Sequence, residues 1–268
     1  MKSVTITYRP IGFLPLYRTK KGQFPQNWGE ITAKQLTSIA CLYKNRISDT
    51  VFLSRMSGIS HRLFKHCSDY ERYKLIECIE FIGGRKPFHE FIVRKITFDR
   101  YAANFFRETN LYSPEPKLKG VSFGQFIFAD TYFSNYQESQ KEDDLNKFIA
   151  SLYLRRNEKF DEIFIQRNYR YVGKLDRNTR EAIVINYQLI HEWLSLAYPL
   201  IFQKREEVLK QVQEDEPIKV RDDGTAWIKI FQNFVGDDVL NNDKWAEMPV
   251  NTIFQYMTRK YKENAQRK

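Results

Sequence analysis

The chain opens with a two-residue rhythm. Val4, Ile6 and Tyr8 alternate with polar neighbours over residues 3–8, the pattern of a half-buried strand. The rhythm then lapses, and residues 11–25 read as irregular, rich in aromatic and basic side chains. Thr32 and Gln35 form a capping box, which satisfies orphan amides at a helix start. Leu36, Ile39, Ala40 and Tyr43 follow at i, i+3, i+4 and i+7, so an amphipathic helix is expected to about Asn45. Two short helices are predicted over 51–56 and 61–66, broken by Gly58. Ser68 and Glu71 make a second box, opening a helix with Leu75, Ile76, Ile79 and Phe81 that stops at Gly83–Gly84.

Residues 88–98 concentrate Phe91, Ile92, Val93, Ile96 and Phe98, a strand composition, and a pairing with the N-terminal strand is expected. Pro114, Pro116 and Gly120 mark 110–120 as a loop. Ser122 and Gln125 form a third box before a helix bearing Phe126, Ile127, Ala129, Thr131, Tyr132, Phe133 and Tyr136. Another helix is predicted over 144–154, after which 155–175 is mixed and basic. Asp176 caps the longest predicted helix, about 178–203, with Pro199 kinking or ending its last turn. Its apolar positions, Trp193, Leu196 and Leu200 among them, go nearly all the way round, so burial on most sides is expected.

The stretch 204–223 is the most polar of the chain and reads as a helix tail followed by a flexible linker. Beyond it come a short helix around Trp227, Phe231 and Phe234 ending near Gly236, a turn at 241–244, and a helix from Pro249 to about Glu263. The expected division is a main helical domain with a small sheet over 1–203, a linker over 204–223 and a helical segment over 224–268. Only eleven Gly and nine Pro punctuate 268 residues, which favours long helices over a many-stranded sandwich. The fold class expected is therefore mainly α (α+β): a helical bundle with a small antiparallel sheet from the N-terminal strand and residues near 88–98.

Composition adds two constraints. Aromatic residues make up 15% of the chain, too many for a disordered protein. Forty-three Lys and Arg against 33 Asp and Glu give a net charge of +10, which permits contact with nucleic acid or an anionic surface. No apolar leader and no run long enough to span a membrane is present, so no membrane partner is expected. Cys41, Cys67 and Cys78 are odd in number and lack a C-x-x-C pair; reduced core thiols are the expectation.

Chemistry-bearing patterns are scarce. His61 and His66 lie about 140° apart on a helix and do not share a metal easily. Neither H-E-x-x-H, G-x-S-x-G nor a phosphate-binding glycine loop occurs. The acid clusters Glu142–Asp144 and Asp222–Asp223 stand in polar joints, without the apolar pocket that splits the pKa values of a catalytic pair. No enzyme activity, cofactor or metal is expected. Arg167, Tyr169, Arg170, Tyr171 and Lys174 interleave cations with rings, a pattern that clamps single-stranded nucleic acid or, alternatively, snorkels beside a core.

Several stretches carry a family resemblance. They are Asn27–Leu36, the run Val121–Phe133 (V-S-F-G-Q-F-I-F-A-D-T-Y-F), Leu145–Leu154, the helix Arg180–Phe202, and Phe234–Tyr261 with Trp245. In order and spacing they resemble uncharacterised proteins of the morphogenesis modules of tailed bacteriophages and prophages. There a tryptophan-led helix opens the chain and an F-G-[EQ]-F-I-x-A-[DE]-T-Y helix marks its middle. The longer basic region over 12–22 and the polar stretch near 204–223 depart from that pattern. The resemblance implies a tail-assembly or neck connector protein acting through protein–protein contacts, with other phage structural proteins and copies of itself, such as a ring, as partners. It implies the host cytoplasm during assembly, or the virion, as its location. A basic nucleic-acid-binding protein is the alternative.

For partner contact the C-terminal segment offers Trp227, Phe231, Trp245, Phe254 and Tyr261. Two short helices do not bury a core alone. They must dock either on their own body or on a neighbouring subunit.

Overall fold

The computed structural model describes residues 1–10, 14–84, 86–98, 110–215, 224–235 and 242–266. Among them run twelve α-helices and four short strands, so the expected mainly helical fold with minor antiparallel sheet is what forms. Contacts group the chain into two units.

The first unit joins Met1–Phe88 to Arg177–Leu189. Strand β1 (Lys2–Tyr8) pairs antiparallel with β2 (Arg18–Phe24), Lys2 opposite Phe24 and Tyr8 opposite Arg18. This corrects the expectation that the N-terminal strand pairs with 88–98 and that 11–25 is irregular. The first four residues of β2 are all exposed, so no apolar alternation marks it as a strand. Gly22 faces Val4, and a Cβ there would fall 2.6 Å from Ile59 Cδ1 and 2.9 Å from the Ser57 carbonyl oxygen. The close approach of β2 to that turn therefore requires glycine.

Helix α1 (Ala33–Tyr43) starts with the predicted capping box: Gln35 N–H donates to Thr32 Oγ1 at 3.3 Å and Thr32 N–H to Gln35 Oε1 at 2.9 Å. Gln35 Nε2 also reaches the Met56 carbonyl at 2.9 Å, joining α1 to α2 (Asp49–Ser57). Gly58 ends α2 before α3 (His61–Phe64), as its position predicts. Helix α4 (Asp69–Glu77) is shorter than expected; a 3-10 turn at Glu80–Ile82 follows, and Ile76 faces solvent. Ser68 caps α4 by accepting from Glu71 N–H at 3.3 Å. The first part of α8 (Arg177–Ala197) completes this core with Ala182, Ile183 and Tyr187. Arg46 holds that part by a two-pronged ion pair to buried Glu181, at 2.8 and 3.0 Å.

The second unit joins His89–Asp176 to Ile190–Lys268. Its sheet is β3 (Lys95–Thr97) against β4 (Asn110–Tyr112), so only three residues of the predicted 88–98 strand form one. The flanking segment is held otherwise: buried Tyr153 donates its hydroxyl to the Val93 carbonyl at 2.7 Å. Helices α5 (Phe123–Ser139) and α6 (Glu142–Leu152) are as predicted, and α7 (Glu162–Val172) occupies the region read as merely mixed and basic. Its buried face is Phe164, Ile165, Asn168 and Val172, at helical spacing but sparse in aliphatics.

The predicted 178–203 helix is two helices. Helix α8 stops at Ala197 and α9 (Pro199–Asp215) begins with Pro199, which has no N–H to lose at a first helical position. The Tyr198 carbonyl accepts from Ile201 and Phe202 at 3.1 and 3.3 Å. Burial on most sides fails near the end of α8. Leu189, Ile190 and Leu194 are buried, but Trp193 is half-buried and Leu196 is 70% exposed. Before that end the expectation holds: Arg180, Glu181, Ala182, Ile183, Val184, Asn186, Tyr187, Leu189 and Ile190 are all buried, and they point to every side of the helix.

Helices α10 (Thr225–Val235), α11 (Asn242–Glu247) and α12 (Val250–Gln266) complete the unit. Helix α11 replaces the turn expected at 241–244. Of the expected linker, residues 204–215 are helical within α9, while 216–223 lie outside the described residues, as does Gly236. The division expected at 203 and 223 is not how the contacts group: 224–268 belongs with α5–α7 and α9. Cys41 and Cys67 are buried free thiols and Cys78 is half-buried. No described helix is long and apolar enough to cross a membrane.

Candidate functional site

The run Phe123–Tyr132 forms the first part of α5. Ser122 caps it, accepting from Gln125 N–H at 3.2 Å. The reciprocal half of the predicted capping box is redirected: Gln125 is buried, and its Nε2 donates to the Ser151 carbonyl at 2.8 Å. A side chain predicted to cap its own helix thus fastens α5 to the end of α6.

The inward face of α5 carries an aromatic cluster and one carboxylate. Phe126, Trp227 and Phe254 are fully buried, with Trp227 5.1 Å from Phe126 edge-on and 5.8 Å from Phe254, nearly stacked. Phe202 meets Trp227 at 5.6 Å, and Phe231 lies 5.2 Å from Phe123. Asp130 is also fully buried. Its Oδ2 accepts from Trp227 Nε1 at 2.8 Å and pairs with Arg205 Nη2 at 3.2 Å, while His191 Nε2 stands 3.4 Å from Oδ1. Arg205 further donates to Ser134 Oγ at 3.0 Å and lies 5.3 Å over the Trp227 ring. An isolated buried carboxylate costs several kcal/mol, so the pairing with Arg205 is what lets Asp130 sit here. The node ties α5, α8, α9 and α10 together.

The other face of α5 is open. Ile127, Phe128 and Tyr132, with Ile228 and Gln232 of α10 and Ala246 of α11, line a groove of ≈ 520 Å³. Gly124 brings α11 close: a Cβ on it would lie 3.4 Å from both Ala246 Cβ and Ala246 O. Thr131 Oγ1 is buried on this side without a hydrogen-bond partner among the described residues. Lys147 sits at the rim, held by Asp143 at 2.6 Å, which raises its pKa.

Of the residues expected to meet a partner, Trp227, Phe231 and Phe254 are interior side chains of this unit. Docking on their own body, one of the two expected outcomes, is theirs. Trp245 is half-buried, 5.9 Å from Phe234. Tyr261 is half-buried too, and burial raises its pKa. Arg167, Arg170, Tyr171 and Lys174 are exposed along α7 and the turn after it, with Tyr169 half-buried beside them.

Sequence reading missed Asp130, His191 and Arg205 as a cluster. Their only local signal is a charged residue in an apolar helix, Asp130 between Ala129 and Thr131. No protein-family model, curated protein or solved structure matches the chain.

Proposed function

We propose that the chain is a structural or assembly protein of a tailed bacteriophage or prophage, acting in tail or neck morphogenesis through protein–protein contacts. Its partners are other phage structural proteins and further copies of itself, met in the host cytoplasm while particles are built. One observation carries the reading. The stretch that bears the family resemblance, Phe123–Tyr132, is used on both sides of its helix. Phe126 and Asp130 face the interior, whereas Ile127, Phe128 and Tyr132 line an open apolar groove that buried Phe123 borders. That second set is only half-buried. A concave apolar surface with aromatic walls suits one buried anchor side chain from a partner segment.

The occupant is an apolar segment of a neighbouring structural protein. Ile228 is 43% exposed on the groove wall, so Ile228→Asp changes the surface without emptying a core. Supplied in place of the natural chain, the variant is expected to remain folded and to support few complete particles. Full particle yield with Ile228→Asp removes the groove from the role.

A further inference from the structure

Every turn of a helix offers a cation a chance to pair with an acid three or four positions away, and this chain uses it widely. Lys74 pairs with Glu71, Lys147 with Asp143, Arg177 with Glu181, Lys204 with Glu207 and Arg259 with Glu263. Helix α7 departs from this habit. Arg167, Arg170 and Lys174 recur at i, i+3 and i+7, with Tyr171 at i+4, which places all four on one stripe. No acid stands three or four positions from any of the three cations. Among the described residues none of them has a carboxylate partner. The acids of α7 are confined to its start, where Asp161 caps Ile163 N–H at 3.1 Å and Glu162 follows.

Like charges at this spacing destabilise a helix by a few tenths of a kcal/mol per pair. The stripe therefore carries a local electrostatic cost that no carboxylate offsets; among the described residues its cations meet only tyrosine rings and the Tyr169 hydroxyl. Its position is fixed firmly: Phe164, Ile165, Asn168 and Val172 bury the opposite face. Gly173 keeps a helical backbone at φ −59, ψ −19, which carries Lys174 onto the same stripe.

Rings accompany the cations. Lys174 Nζ lies 5.5 Å from the Tyr171 ring centre, and the Arg170 guanidinium lies 5.8 Å from that of Tyr169. Lys147 approaches Tyr169 and Tyr132 at 5.9 and 5.8 Å. An exposed ring with a cation beside it offers a base a stacking platform and its phosphate a ligand at once. A paired duplex hides its base faces, so rings of this kind serve unpaired bases. An acidic polypeptide would use the cations and leave the rings without a task.

We infer that the α7 stripe of Arg167, Arg170, Tyr171 and Lys174 is a binding surface for single-stranded nucleic acid, gripped by phosphate contacts and base stacking without sequence readout. This goes beyond the assembly role and does not require the α5 groove.

The test is fluorescence anisotropy on the full chain with a labelled oligothymidylate of about 15 nucleotides, longer than the roughly 10 Å from Arg167 to Lys174 requires. Affinity should fall steeply with salt. Replacing all three cations, R167Q/R170Q/K174Q, should flatten the log–log salt slope by about 2, because each lost contact to a single strand removes about 0.7. Tyr171→Ala should weaken binding about tenfold at unchanged slope, as loss of one stacked base does. The charge-keeping pair R167K/R170K should retain the slope, which separates lost contacts from lost folding. Three results overturn the inference: no salt-sensitive binding by the natural chain, binding untouched by R167Q/R170Q/K174Q, or polyglutamate displacing the oligonucleotide with Tyr171→Ala having no effect. The last would assign the stripe to an acidic protein.

Discussion

Trp227 Nε1 donates to Asp130 Oδ2 at 2.8 Å, across 97 residues of chain, and both side chains are fully buried. Through this bond α10 is locked to the helix that bears the family resemblance. The indole N–H and the Arg205 guanidinium share one carboxylate oxygen, so neither is free to be removed without exposing the other's partner.

Trp227→Phe keeps one aromatic ring, deletes the donor and leaves the space of the indole's second ring. The lost donor and the small cavity together should cost about 1–3 kcal/mol. Asp130→Ala should cost more, about 3–5 kcal/mol, because it removes the carboxylate that nearly buried Arg205 pairs with and the acceptor of the buried Trp227 indole N–H. Urea unfolding of the two variants checks the order. A Trp227→Phe loss larger than that of Asp130→Ala would place the energy in ring packing instead.

Gly22 tests the hairpin that composition hides. Gly22→Ala drives a methyl against Ile59 and the Ser57 carbonyl oxygen, which is backbone and does not rotate away. A destabilisation of about 1–3 kcal/mol is expected. A neutral Gly22→Ala in thermal unfolding would mean that β2 does not lie against this turn.

Tyr153 sets an alkaline limit. Burial raises its phenol pKa far above the usual value, and the hydroxyl donates to the Val93 carbonyl. Once pH passes about 10, the unfolded chain releases this proton and the folded one keeps it. The unfolded state then binds fewer protons, so stability falls as pH rises from there. Tyr153→Phe should lose about 1 kcal/mol near neutral pH and show a shallower decline above pH ~10. Equal slopes for the two proteins in that alkaline range would count against the buried phenol.

What was legible in the sequence was whatever a few adjacent residues decide. The Thr32 box, the Gly58 stop and the starts of α5 and α12 are local chemistry, and they stand where expected. Strand β2 was not legible, because Arg18–Lys21 are exposed and only β1 tells them to extend. Helix α7 was not, because its solvent stripe is basic and its buried face holds Asn168 among few aliphatics. The stripe Trp227, Phe231, Phe234 was visible, but its destination was not. An apolar helix face reads alike whether it docks on its own body or on a neighbour. The Asp130 node was beyond reach, since its members come from four helices.

The α5 groove was half visible. Ile127 and Tyr132 stood out as apolar positions, but nothing local distinguishes them from Phe126 and Phe133, which are buried. Only the arrival of α10 and α11 makes one set core and leaves the other as groove wall.

The proposed role in particle assembly is tested most directly by deleting the chain's coding sequence from the genome that carries it and counting tailed particles by electron microscopy. The expected result is accumulation of heads and tails that are incomplete or unjoined, with complete particles restored by the natural chain and not by Ile228→Asp. Complete tailed particles at normal yield without the chain would contradict the account.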